Sequence, residues 1–161
     1  MTDLLTGNDR YLGFSLGEEE YGIPLLKVRE VIGMPEITPV PQSPKHFIGI
    51  MNLRGQVISI IDLRTKLAIP PKKGGETAVV ICDIGGSYLG IVVDSVNQVY
   101  SPKSEEIADR PEIQNSKANQ FITGVYRHNK SLVLLLDIAR TLDMEDHAAM
   151  ARGTPPLAKA A

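Results

Sequence analysis

The chain has 161 residues, of which 43% are hydrophobic and 22% charged, a composition typical of one globular domain or of two small ones that share a core. Its 17 basic and 19 acidic side chains give a net charge of −2 and are interspersed, which excludes the basic footprint of a nucleic-acid or anionic-lipid binder. No apolar stretch approaches about 20 residues and the N-terminus lacks a signal-peptide pattern, so we expect a cytoplasmic protein without direct membrane insertion.

The first part of the chain is rich in strand and turn patterns. "YLGFSL" and "YGIPLL", on either side of "GEEE", predict two strands joined by a short hairpin loop. "SPKHFIGI" predicts a short helix with Ser43 as its cap and Pro44 at the first helical position. "IMNLRGQVISIIDLR" then predicts a hairpin with "NLRG" at its tip, and Asp62 stands where the N-cap of a short helix belongs.

The rest of the chain follows the same plan after a linker at residues 70–76, which begins with the structure-breaking "PPKKGG". "AVVICDI", "GGS" and "YLGIVVD" predict another hairpin, in which Cys82 is a core residue rather than a nucleophile. "VYRHNKSLVLLLDIA" predicts the last hairpin, with Asp137 as the cap of a second short helix. "VISII" and "SLVLLL" lack polar alternation, so we expect both strands to be buried on both faces.

The two halves repeat one design. Gly49 and Gly124 are 124 − 49 = 75 residues apart, as are Asp62 and Asp137, and the apolar positions between them align without a gap. Upstream, an offset of 68 aligns "YGI" with "LGI", and the seven-residue difference fits the polar stretch "SPKSEEIADRPEIQ". We therefore predict a mainly β fold of two small barrels packed around a shared core. The copies cover about residues 11–69 and 77–143, between a flexible N-terminus (1–9) and a C-terminal helix extension and flexible tail (146–161).

Catalytic and metal-binding patterns are missing from the sequence. The single cysteine excludes an internal disulfide, and the three histidines have no metal-ligand spacing. There is no nucleophile elbow and no phosphate-binding loop. Asp62 and Asp137 occur once in each copy, which favours helix capping over catalysis. The sequence thus favours a protein-binding module without cofactor or metal, with a small β-barrel hydrolase as the alternative.

Four segments resemble the CheW family of chemotaxis coupling proteins in order and spacing: "EEEYGIPLLKVREVIG", "FIGIMNLRGQVISIIDLRTKL", "LGIVVDSVNQVY" and "FITGVYRHNKSLVLLLDIARTL". The resemblance covers residues 10–145 and implies two five-stranded SH3-like β-barrels around a shared core with a few short helices. Strands can be exchanged between these barrels, so the sequence halves need not be the structural halves.

The resemblance also implies a function: a non-enzymatic scaffold that couples transmembrane chemoreceptors to the histidine kinase CheA. Its partners would be the regulatory domain of CheA and the cytoplasmic helical tip of methyl-accepting receptors, and it would be recruited to membrane-associated receptor arrays. A CheW-like adaptor of a non-flagellar chemosensory pathway is a further alternative.

Site residues follow from the same resemblance. The receptor-facing groove of the family falls on Val28, Glu30, Asn52, Arg54, Val96 and Val99. The valines can also be core residues, and Glu30 a solvated charge. Four glycines look like family backbone positions that need close approach or positive φ: Gly49, Gly55, Gly90 and Gly124. In the second copy Asn129 aligns with Arg54 and can adopt a left-handed conformation, so the fold does not require an arginine at this hairpin tip. This difference between the copies favours a binding role for Arg54.

Overall fold

The computed structural model describes residues 10–70, 77–108 and 121–142, together with residues 146 and 150. Within these ranges the fold is mainly β, as predicted, with eleven strands and two four-residue α-helices. The strands are β1 (Tyr11–Leu16), β2 (Glu19–Pro24), β3 (Val28–Gly33), β4 (Phe47–Leu53), β5 (Gln56–Asp62), β6 (Ala78–Asp83), β7 (Tyr88–Val93), β8 (Ser95–Tyr100), β9 (Ile107–Ala108), β10 (Ile122–His128) and β11 (Ser131–Leu136). The helices are α1 (Leu63–Lys66) and α2 (Ile138–Thr141). The predicted tail at 1–9 lies outside the described residues, as do the linker beyond Pro70 and most of the C-terminal extension.

The strands form two sheets that exchange hairpins between the two halves of the sequence. The first sheet has the order β8-β1-β2-β11-β10-β9, and the second has the order β3-β6-β7-β5-β4. Each sheet therefore combines the first hairpin of one half with the later strands of the other. Each of these hairpins pairs with the strands of the other half on both sides. The parallel pairs are β2 with β11 and β5 with β7, and the antiparallel pairs are β1 with β8 and β6 with β3.

In each sheet, the segment that follows the strand at one end of the sheet pairs with a strand at or near the other end. Thr38 lies after β3 and exchanges two backbone hydrogen bonds with Ile50 of β4, at 2.8 and 2.9 Å. In the first sheet β9 follows β8 and pairs with β10. These contacts bring the two edges of each sheet together, which is the step that turns a twisted sheet into a barrel.

The core is shared between the barrels. One buried cluster draws residues from both sheets, while a second belongs to the β3-to-β4 sheet and a third to the β8-to-β9 sheet. On β5, Ile61 lies in the shared cluster, whereas Ile58 and Ile60 lie in the cluster of their own barrel. On β11, Leu136 and Leu135 divide in the same way. The prediction that these strands are buried on both faces is confirmed for the centre of β5 and for the end of β11, where each strand separates a barrel interior from the shared core. It is wrong for the start of β11, where Leu132 is exposed.

Two local predictions are wrong. The loop between β1 and β2 is Gly17–Glu18 rather than the whole of "GEEE", because Glu19 and Glu20 pair with the end of β1. Gly17 has φ +62°, a value that a tight two-residue turn requires. "SPKHF" forms a turn instead of a helix: the Phe47 N–H donates to the Pro44 carbonyl (2.9 Å), and Phe47 already pairs with β5. The early start of β4 leaves no room for a helix.

Two described residues of the C-terminal extension, Asp146 and Met150, contact the rest of the fold, and Met150 packs against the shared core. Asp146 is helical and fully buried. Its carboxylate accepts a hydrogen bond from Lys66 Nζ of α1 (2.7 Å) and contacts the His46 ring, just before β4. Buried carboxylates need such partners because desolvation penalises an unpaired charge. The extension is therefore attached to the segments at the two ends of the β4–β5 hairpin.

Candidate functional site

The tip of the β4–β5 hairpin is a two-residue turn made by Arg54 and Gly55. Both residues have positive φ, +51° and +87°, and the flanking Leu53 and Gln56 pair with each other. The Asn52 side chain accepts a hydrogen bond from the Gly55 N–H (2.8 Å) and so stabilises the turn. Asn129, the counterpart of Arg54, has φ +57°, as expected for a residue that adopts this conformation easily. An arginine adopts it less readily, which sets the first hairpin apart.

Arg54 is oriented by Glu30. Its Nη1 and Nη2 donate to Glu30 Oε1 and Oε2 at 2.8 and 2.9 Å, a bidentate pair. Glu30 lies on β3 and Arg54 follows β4, the two edge strands of this sheet, so the ion pair also spans the closure of the barrel. The hydrogen bond from Arg54 lowers the pKa of the Glu30 carboxyl, and the same bond raises the pKa of the guanidinium. Because 69% of the Arg54 side chain remains exposed, the guanidinium is positioned and still accessible.

The glycines of β4 and β10 explain how the barrels close. A Cβ on Gly49 would lie 2.7 Å from the Thr38 carbonyl carbon, and one on Gly124 would lie 3.1 Å from the Ala108 oxygen. Both neighbours belong to the closing segments, so the same need for close backbone approach occurs once in each barrel. Gly90 is packed on both sides by side chains, with Val79 Cγ1 2.9 Å from where its Cβ would be.

The sequence interpretation missed a buried ionic network around Arg64. Asp62 caps α1 by accepting from the Arg64 N–H (3.0 Å), and the Arg64 side chain folds back to bind both Asp62 oxygens at 2.9 Å. Arg64 Nη1 also donates to Asp94 Oδ1 (2.7 Å), and Asp94 Oδ2 accepts from the Gly17 N–H (2.6 Å). These bonds raise the pKa of Arg64, with the Asp62 bond as the largest cause.

This network joins the two barrels, since Gly17 belongs to the β1–β2 turn and Asp94 to the β7–β8 connection. A signal for it was present in the sequence, because Arg64 aligns with Ala139 in the second half. In that half Asp137 caps α2 by accepting from the Arg140 N–H at 3.4 Å.

Two kinds of reactive group are absent from the described ranges, a cluster of metal ligands and an accessible thiol. No three His, Cys, Asp or Glu side chains there are grouped as metal ligands. Cys82 is fully buried, and burial raises the pKa of its thiol to about 12. The helices in the described part of the chain are all too short or too polar to cross a membrane.

Comparison with known proteins decides the family. A model of the CheW-like domain matches residues 10–146. The chain belongs to the CheW family. Chemotaxis protein CheW of Klebsiella aerogenes is 38% identical over 144 residues, which are 89% of this chain and 87% of that protein. Protein FrzA of Myxococcus xanthus is 27% identical, over 86% of this chain and 88% of its own. The crystal structure of the scaffolding protein TtCheW from Thermoanaerobacter tengcongensis is similar, with a TM-score of 0.77 and 27% identity over 86% of this chain and 95% of that one.

Membership of the CheW family establishes three of the sequence expectations. The fold has two SH3-like β-barrels, as in the matched scaffold structure. The family consists of adaptors that are not enzymes, and the chain is therefore a CheW scaffold of chemotaxis rather than a hydrolase.

The six receptor-facing candidates of this CheW chain divide between the barrels. Glu30, Asn52 and Arg54 meet at the edge of the β3-to-β4 barrel, where Val28 begins β3. The other two candidates, Val96 and Val99, lie on β8, the edge strand of the other barrel. Val28 and Val96 are half-buried and pack against the shared core, whereas Val99 is exposed.

Proposed function

We propose that the chain couples chemoreceptors to the histidine kinase CheA, by binding the cytoplasmic helical tip of the receptor and the regulatory domain of the kinase. The family carries the general adaptor role. The observation that supports a specific binding site is Arg54, an exposed side chain held in position by Glu30 on a strained hairpin tip. Ordinary hairpins place Asn or Gly at such a position, so the arginine is better explained by a partner than by the fold.

The geometry of Arg54 suits a binding hot spot. Two of its nitrogens donate to Glu30, which fixes the plane of the guanidinium and leaves further N–H groups for carboxylate or carbonyl oxygens of a partner. Pre-orientation lowers the entropic cost of binding, because the side chain is already ordered in the free protein.

The proposed mechanism is tethering without catalysis. A scaffold that binds receptor and kinase at the same time makes their encounter intramolecular and raises their effective concentration. The receptor would be contacted by Val28, Glu30, Asn52 and Arg54 of one barrel and by Val96 and Val99 of the other. Recruitment to membrane-associated receptor arrays would follow from this binding, since the receptors themselves are membrane proteins.

Reconstitution tests the proposal. Receptor signalling fragments, the kinase and this protein are mixed, and the autophosphorylation of the kinase is followed with and without receptor ligand. Omitting the protein is expected to abolish receptor control. If receptor control persists without it, the proposed coupling is wrong.

Arg54→Ala, titrated against receptor fragments and the kinase regulatory domain, tests the site separately. We expect about 30-fold weaker binding to at least one partner, a loss typical of a hot-spot arginine. Lys130→Ala, at the tip of the equivalent hairpin, is the matched control and should bind normally. Arg54→Lys should rescue poorly because an ammonium cannot reproduce a bidentate contact. If Arg54→Ala binds both partners with unchanged affinity, "NLRG" is a turn and not a binding site.

A further inference from the structure

A cavity lies where the β6–β7 loop approaches the start of α2. Its volume is about 280 Å³. Its polar lining includes Lys27, Asp83 and Asp137, and Gly85 and Ala139 form part of its wall. Apolar side chains, among them Ile23 and Ile138, complete the lining.

The sequence offsets identify the counterpart of this cavity in the first half of the chain. The offset of 68 aligns Gly17 with Gly85, and the offset of 75 aligns Asp62 with Asp137 and Arg64 with Ala139. In the first half the Arg64 side chain binds Asp62, and Gly17 belongs to the same network through Asp94. The cavity thus lies where an arginine side chain would lie if the second half copied the first.

The second half keeps the carboxylate but holds its cation at a longer distance. Asp137 is 40% exposed, and among the described residues its cationic contact is Arg140, whose Nε lies 3.5 Å away across one helical turn. Asp62, by contrast, is 17% exposed and holds Arg64 at 2.9 Å through both oxygens. Ala139 contributes only a methyl group where Arg64 extends its side chain.

The residues that line the cavity carry one more negative than positive charge. They include two carboxylates, Asp83 and Asp137, and one ammonium group, Lys27. Two further cations act from outside the lining: Arg140 contacts Asp137 at 3.5 Å, and Arg29 helps to lower the pKa of Asp83. Asp94 of the first network has Leu26 as its counterpart, so the second carboxylate of the cavity comes from Asp83 instead. A guanidinium in the cavity would bind the Asp137 carboxylate, and the apolar walls would pack against its aliphatic stem.

We propose that this cavity takes an arginine side chain presented by a protein partner, which binds Asp137 as Arg64 binds Asp62. This proposal goes beyond the proposed coupling function. It depends on that function only for the identity of the partner protein that would present the arginine. Arginine is favoured over lysine because its planar fork matches both oxygens of a carboxylate, the geometry that Arg64 already shows.

Titration with N-acetyl-arginine amide tests the cavity itself. The backbone amide resonances of Gly85 and Ala139 are followed in a ¹⁵N-labelled sample, with N-acetyl-citrulline amide as the neutral control of matched shape. We expect saturable shifts with the arginine probe and at least about tenfold weaker binding of citrulline, since charge-assisted bonds are the stronger ones. Asp137→Asn should weaken arginine binding by a similar factor. An equal response to the two probes, or no response to arginine, would overturn the proposal.

A substitution that fills the cavity with a side chain of this protein tests whether a partner docks there. Ala139→Arg repeats the arrangement of the first half, and Ala139→Gln is its neutral control. We expect Ala139→Arg to abolish the probe shifts and to weaken binding of receptor fragments or of the kinase regulatory domain at least about tenfold, while Ala139→Gln leaves both intact. Asp137→Asn gives an independent second variant. If Ala139→Arg binds both partners normally, the proposal that a partner docks in the cavity is wrong. The coupling function is then still tested independently by the Arg54→Ala titration.

Discussion

Asp94→Asn is expected to destabilise the protein strongly, because Asp94 joins the two barrels from a buried position. Only 2% of its side chain is exposed. One oxygen accepts from Arg64 (2.7 Å) and the other from the Gly17 N–H (2.6 Å). An asparagine of the same shape keeps one acceptor, so its NH₂ group must face one of these two donors.

The magnitude follows from these two bonds. Loss of a hydrogen bond between charged groups costs about 1.5–3 kcal/mol, and a buried donor left without a partner costs about 1–3 kcal/mol. We therefore expect a loss of about 3 kcal/mol in the free energy of unfolding. For a chain of this length, that corresponds to a decrease of roughly 6–12 °C in the melting temperature.

Urea denaturation measures the effect without adding salt, which would screen the ion pairs. Asp137→Asn is the matched control: it also removes an aspartate charge, but from an exposed N-cap that asparagine serves equally well, so stability should change by less than about 0.5 kcal/mol. A loss below about 1 kcal/mol for Asp94→Asn would refute this account of the network.

Three further predictions concern the core and its border with the binding site. Gly90→Ala should cost about 1–3 kcal/mol in urea, since the new methyl overlaps Val79 and Ile60. Cys82 should not react with a thiol reagent at pH 8 until urea unfolds the chain. Because the thiol has a pKa of about 12 in the folded protein and about 8.5 in the unfolded chain, the free energy of unfolding should fall as the pH rises above about 8.5. Val28→Ala should weaken receptor binding yet destabilise less than Val80→Ala, its fully buried control; the reverse order in denaturation and titration would make Val28 a core residue only.

Much of the local structure could be predicted because its causes lie within a few neighbouring residues. The hairpins around "NLRG" and "RHNK" follow from short turns between apolar strands, and the left-handed backbone of Asn129 follows from its residue type. The burial of β5 and of the end of β11 on both faces follows from their unbroken apolar runs. The helix expected after Ser43 failed because strand pairing of Phe47 with Ile61, a long-range contact, outweighed the capping pattern.

Only part of the candidate site could be predicted from the sequence. Arg54 attracted attention because its counterpart is Asn129, yet no local pattern showed that Glu30 would orient it through two hydrogen bonds. The same comparison, applied to Arg64 and Ala139, would have marked the ionic network and the cavity, but not their partners. Asp94 and Gly17 are 77 residues apart, and only the folded chain places them in contact.

The amino-acid sequence by itself determined the strands, the turns and the two-fold plan, since side-chain periodicity and turn residues act over short distances. Only the tertiary structure decided which strands share a sheet. The repeated halves have matching apolar patterns, so a hairpin such as β1–β2 offers similar partners in either half, and periodicity cannot choose between them. Barrel closure makes the choice: β1–β2 pairs with β8 and β11, and β6–β7 with β3 and β5. That exchange creates the shared core and brings Glu30 to Arg54. It also leaves a cavity beside Ala139, at the position that the Arg64 side chain occupies in the first half.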